Sequence, residues 1–292
     1  MKNKYSFKFG VIVLSLVLIA CSGGSTDAGC PEIDGREINV VATTPMIGEF
    51  VSNVGGDNIN LTVLMPPEAD PHTYEPAPQD AGTIADADLV FYTGLMYEPA
   101  PLVELLENSV CGSEALAEVG ESVFPIEFKE GGHDDHDDHD EKGHDDHDEE
   151  GHEGHGHGAY DPHFWFDPNR VVYASEFIES KLIELDPSNA ASYQAAGDAY
   201  ATELNSLTGQ VSQLIGSIPS QNRKLITTHE SLGYLEAKFG LEVLSTIIPD
   251  LDSSNEITPA QLVGVIDVIE DNNVKVIFIA VSYTHLTLPT IY

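Results

Sequence analysis

Short β-branched runs and stretches of helical period alternate along most of this chain. Ile38-Asn39-Val40-Val41-Ala42-Thr43 has the length and composition of a buried strand, and Ile47, Phe50 and Val51 behind it recur at helical spacing. The same alternation continues with strands over residues 60–64 and 89–92 and helices over 81–87 and 99–107. It resumes late in the chain with strands at 224–228, 243–248 and 274–280 and helices at 231–239 and 259–270. The segment 274–280, apolar apart from Lys275, is expected to be a fully buried strand. Strands alternating with helices predict an α/β architecture of parallel sheets flanked by helices.

Two such blocks are separated by a region of different character. Residues 168–217 carry no strand signal, and after Asp186-Pro187-Ser188-Asn189 the positions Tyr193, Ala196, Tyr200, Leu204, Leu207, Val211 and Leu214 follow a helical period. About 30 residues of helix span roughly 45 Å at 1.5 Å per residue, more than either block needs to close its own sheet. This helix is expected to bridge two lobes.

The N-terminus changes the picture of compartment. Lys2, Lys4 and Lys8 precede an apolar run from Phe9 to Ala20, too short to span a bilayer comfortably. Leu18-Ile19-Ala20-Cys21 resembles the bacterial lipobox, which would make Cys21 the lipidated first residue of the mature chain; an ordinary cleavable signal or a short anchor is the plainer alternative. Ser22-Gly23-Gly24-Ser25-Thr26-Asp27 then reads as a flexible tether. Cys30 and Cys111 remain as an even pair in an oxidising compartment, either disulfide-bonded or two separate thiols. A net charge of −37 with only 12 Lys and Arg excludes a nucleic-acid binder, and a strongly acidic surface suits a cation-handling extracellular protein.

One segment cannot fold as a core. Residues 131–158 contain eight His, twelve acids, seven Gly and Lys142, with no apolar residue to bury. A loop needed only for solubility has no use for imidazole, whereas imidazole and carboxylate together are ligands for zinc and similar cations. His133, His136, His139, His144, His147, His152, His155 and His157 are therefore candidate weak metal ligands. Four histidines lie elsewhere: His72, His163, His229 and His285. Two of them share a tripeptide, Asp70-Pro71-His72 and Asp161-Pro162-His163, in which Pro stiffens the backbone and Asp can bond nearby backbone groups. His229 ends the strand at 224–228, and in open α/β sheets ligands bind beyond the carboxyl ends of strands.

Three ordered motifs carry a family resemblance. The run Val63-Leu64-Met65-Pro66-Pro67-Glu68-Ala69-Asp70-Pro71-His72-Thr73-Tyr74-Glu75-Pro76 resembles the first signature of the metal-specific substrate-binding lipoproteins of ABC transporters. Asp161-Pro162-His163-Phe164-Trp165-Phe166-Asp167-Pro168 is similar to their second, and Thr228-His229-Glu230-Ser231-Leu232-Gly233-Tyr234 to their third. The resemblance, running from about Ile38 to Ile279, implies two α/β lobes joined by one long rigid helix, with the metal between them on His72, His163 and His229. Members that take manganese typically carry glutamate at the third position; His229 and the His-acid loop resemble the zinc members. It implies Zn(II) as the transported ligand, a membrane permease as partner, lipid anchorage outside the cytoplasmic membrane, and a monomer. The corresponding organisation is a signal peptide (1–20), a tether (21–36), an N-terminal lobe (37–186) with a His/acid-rich loop (129–158), a linking helix (187–218) and a partial C-terminal lobe (219–281). The tail at 282–292 does not match the family, so the second lobe is expected to be incomplete, His285 receives no role, and the late carboxylate that completes the site in many relatives has no match.

Other function classes fit less well. A metallo-enzyme would also use three ligands and an open position, yet no His-Glu-x-x-His pattern exists and only Glu230 stands near a ligand as a general base. Manganese or iron capture by the same transporter class, and a surface adhesin lipoprotein, are the remaining alternatives.

Overall fold

The structure, a computed structural model, describes residues 33, 35–128, 160–248 and 257–278. The lipobox, Cys30, the His-acid tract and the tail at 282–292 lie outside them. Among the described residues no helix is long and apolar enough to cross a membrane.

The first lobe is built around β1 (Ile38–Ala42). The chain leaves it through Thr44, whose hydroxyl accepts from the Ile47 N–H at 3.3 Å and starts α1 (Pro45–Gly55). Pro45 costs nothing there, because the first-turn N–H would have no helical partner. β2 (Ile59–Val63) returns parallel to β1, with Val40 opposite Leu61. Then follow α2 (Pro78–Ala85), β3 (Leu89–Tyr92), α3 (Ala100–Ser109) and β4 (Leu116–Glu118). The sheet is all-parallel with order β2-β1-β3-β4, so the winding direction reverses between β1 and β3. Such a reversal opens a crevice at the carboxyl ends of the strands.

Burial on both faces explains the mostly apolar sequences of the central strands β1 and β3, whereas the edge strand β2 is largely exposed. Val40 and Ala42 face a core with Ile47 and Phe50 of α1, while Val41 and Val90 pack with Ile84, Leu102 and Leu106 on the other face. α4 (Pro168–Leu185) adds Val171, Ala174, Ile178 and Leu182 to the first core. Asp167 caps it by accepting from the Asn169 N–H at 3.0 Å.

After a short 3-10 turn, α5 (Ala190–Gly216) runs for 27 residues and joins the lobes. It is not a free rod. Tyr193 and Leu204 are buried in the first lobe's core, whereas Leu214, in the second half, is 68% exposed. The second lobe contains β5 (Lys224–Thr227), α6 (Gly233–Phe239), β6 (Glu242–Thr246), α7 (Pro259–Asn272) and β7 (Ile277–Phe278). Its strands are parallel in the order β6-β5-β7. Thr258 and Gln261 cap α7 reciprocally, the side chain of each accepting from the backbone N–H of the other.

Two expectations change. β4 was not foreseen, because three residues give too little pattern to read. The described part of that stretch, residues 274–278, is not a covered strand: only Ile277 and Phe278 pair, β7 is an edge strand among the described residues, and both are over 40% exposed. Apolar composition alone does not say how many faces of a strand are covered. Cys111 is disulfide-bonded, and Cys30 lies outside the described residues.

Candidate metal centre

The three histidines singled out from sequence come together in the crevice between the lobes. Each can offer a ring nitrogen such that the three ligand atoms lie within 4.8 Å of one another. Ring centroids are 5.4 Å apart for His163 and His229, 5.7 Å for His72 and His163, and 5.9 Å for His72 and His229. Among the described residues this is the one such cluster of His, Cys, Asp or Glu, and it contains no carboxylate.

Each histidine is presented by a different local device. His72 lies in the long loop after β2, where the Asp70 carboxylate accepts from the His72 N–H at 3.0 Å. That loop is fastened at its far end by Asp80, which accepts from Tyr74 Oη at 2.9 Å and from the Ala77 N–H at 2.8 Å. His163 stands just before the turn leading into α4. The Asp161 carboxylate accepts from its backbone N–H at 2.8 Å and lies 2.9 Å from its Nδ1. A carboxylate acceptor places the ring proton on Nδ1 and leaves the Nε2 lone pair available, the usual arrangement for a metal-binding imidazole. His229 sits two residues beyond β5, at the carboxyl end of the second sheet.

Burial makes these nitrogens conspicuous. His163 is 3% and His229 5% exposed, and His163 Nε2 and His229 Nδ1 are buried without a hydrogen-bond partner. Buried polar atoms are nearly always paired, so two orphan nitrogens on rings of one histidine cluster fit a cation. Burial, reinforced by the facing His163 and His72, pushes the His229 imidazole down to about 3. The ring is therefore neutral at physiological pH, the form that coordinates metal.

Sequence reasoning missed the wall of the site. Tyr97 is buried with its ring centroid 4.7 Å from His72 and 5.6 Å from His163, and Trp165 packs 5.4 Å from His163 and 5.1 Å from Tyr97. Burial, with the charges of Glu98 and Asp70, holds the Tyr97 phenol well above its ordinary value. Tyr97 reaches this place through a turn in which Gly94, Leu95 and Met96 all have positive φ. Two carboxylates hold that turn. Glu98 accepts from Thr43 Oγ1 at 2.6 Å, the Thr93 N–H at 2.7 Å and the Gly94 N–H at 3.0 Å, while Glu118 accepts from the Leu95 N–H at 2.9 Å. The only advance signal for Tyr97 was its position past the carboxyl end of an expected strand.

Comparison with known proteins gives concordant results. The profile of the family described as ZnuA, zinc-uptake complex component A periplasmic, matches residues 40–291. A manganese-binding lipoprotein, MntA, of Halalkalibacterium halodurans is 26% identical over 99% of this chain and 85% of its own. The manganese ABC transporter substrate-binding lipoprotein PsaA of Streptococcus anginosus is 29% identical over 96% of this chain and 83% of its own. A crystal structure of ZnuA superposes with a TM-score of 0.69 at 25% identity, covering 85% of this chain and 84% of that one.

Proposed function

The chain belongs to the family of periplasmic zinc-uptake complex component A proteins, and from that premise we propose that it captures Zn2+ between its lobes and delivers it to a membrane permease. It is a metal-binding, substrate-binding component of an ABC-type uptake system, it works outside the cytoplasmic membrane, and it is not an enzyme.

The choice of zinc rests on one observation, the all-imidazole donor set. His72, His163 and His229 converge with no carboxylate among them, and three neutral imidazoles suit zinc better than manganese, which favours oxygen ligands. The three are the tight ligands in this reading. The eight histidines of residues 131–158 supply weaker sites that raise the local metal concentration, and Cys21 carries the lipid that keeps the protein near its permease.

Manganese is the second reading, favoured by the two manganese-binding relatives above. Metal analysis of protein purified from medium replete in zinc, manganese and iron separates the two. One zinc per chain retained through dialysis is the expected result, and retained manganese or iron would overturn the choice of zinc.

A further inference from the structure

The second lobe is fastened to the first at a point that the histidines do not explain. Tyr234, in the first turn of α6, is 2% exposed and belongs to a core cluster otherwise made of first-lobe and α5 residues. Its hydroxyl donates to the Asp161 carbonyl at 2.9 Å and accepts from the Ile126 N–H at 3.2 Å. Those two backbone segments are themselves joined, the Asp161 N–H donating to the Ile126 carbonyl at 3.0 Å. The phenol thus closes a small net around the segment that presents His163.

The neighbours of Tyr234 tighten the same junction. A Cβ at Gly233 would lie 2.6 Å from Asp161 Oδ2, so the absence of a side chain lets α6 approach the carboxylate that orients His163. The Arg170 guanidinium stands 6.0 Å from the Tyr234 ring centre, and Lys238 Nζ lies 3.7 Å from Asp167 Oδ1. His229 is five residues before Tyr234 in the chain. One hydroxyl therefore connects the segment following His229 to the backbone carrying His163.

We propose that Tyr234 is a positioning residue for the metal centre, an interlobe tether that fixes the separation of His163 and His229 and slows release of the bound cation. The proposal rests on the reading of the three histidines as ligands. Removing the hydroxyl leaves the buried Asp161 carbonyl and the part-buried Ile126 N–H without this partner and frees α6 to drift from Asp161.

The test is the rate at which zinc passes from the full-length protein to an excess of chelator. Tyr234→Phe keeps the ring and its packing, and should still hold one zinc but release it about tenfold faster, the effect of losing roughly one hydrogen bond's worth of stabilisation. Tyr193→Phe is the control. It removes another buried phenol, whose hydroxyl donates to Asp186 Oδ2 at 2.9 Å at the start of α5, away from the histidines. Faster release in Tyr234→Phe but not in Tyr193→Phe supports the tether. Equal rates in wild type and Tyr234→Phe, or equal acceleration in both variants, overturn it. A wild-type chain that holds no tight zinc would overturn the metal reading instead, a distinguishable outcome.

Discussion

Among single side chains, Asp161 holds most of the centre's geometry, because it fixes both the backbone and the ring of His163. Removing a carboxylate that orients a metal-binding imidazole typically weakens affinity by about 10–100-fold, and Asp161→Ala should show a loss of that order in a competitive zinc titration. His72→Ala, His163→Ala and His229→Ala should each lose tight binding altogether; retention in any of them would remove that residue from the ligand set. The depressed His229 imidazole also makes a prediction for the metal-free protein. Its folded value of about 3 lies below the unfolded value of 6.5, so between these limits the unfolded chain takes up a proton that the folded chain refuses. Stability is therefore intact above about pH 6.5 and falls as the pH drops, by roughly 3 kcal/mol at pH 4. Chemical denaturation across that range should show the decline, and His229→Gln should flatten it.

At the scale of elements, the turn between β3 and α3 carries the clearest stability prediction. The buried Glu98 carboxylate takes three donors and has its pKa raised by burial, despite hydrogen bonds that act the other way. Glu98→Gln replaces one acceptor oxygen by a donor and sets it against a donor already present. A loss of about 2 kcal/mol in unfolding free energy is expected, read from the denaturation midpoint, together with weaker zinc binding because Tyr97 is displaced. How much of this was legible in the sequence differs by element. β1, β3 and β5 announced themselves through short runs rich in apolar or β-branched residues, and the two Asp-Pro-His tripeptides named two of the converging histidines. The positive-φ turn at residues 94–96 did not, because its conformation depends on Glu98 and Glu118 reaching back from later in the chain. Tyr234 was visible in a motif but not its partners, which lie 73 and 108 residues away. The edge position of β7 depends on pairing with β5, which no local pattern encodes.

For the whole molecule, the position of α5 limits what metal capture can do. Its first half is part of the first lobe's core, and α6 is pinned to that lobe as well, so little freedom remains for a wide hinge. Small-angle scattering of the metal-free and zinc-loaded protein should give nearly the same radius of gyration; a large contraction on loading would contradict this arrangement. Deleting residues 131–158 should remove the weak, dialysable zinc and leave the tight ion in place.

The unequal depth of the three histidines sets an order of events. His163 and His229 are almost fully enclosed, while His72 is only partly buried and sits on the loop after β2. If these histidines hold the cation as proposed, an ion entering from solvent would meet His72 first and then the two inner rings. On departure the bond to His72 would break first, and an acceptor could present its own donor there before the inner two let go. Exchange would then run as a relay through the outermost histidine, with no moment at which a bare cation must be expelled into water.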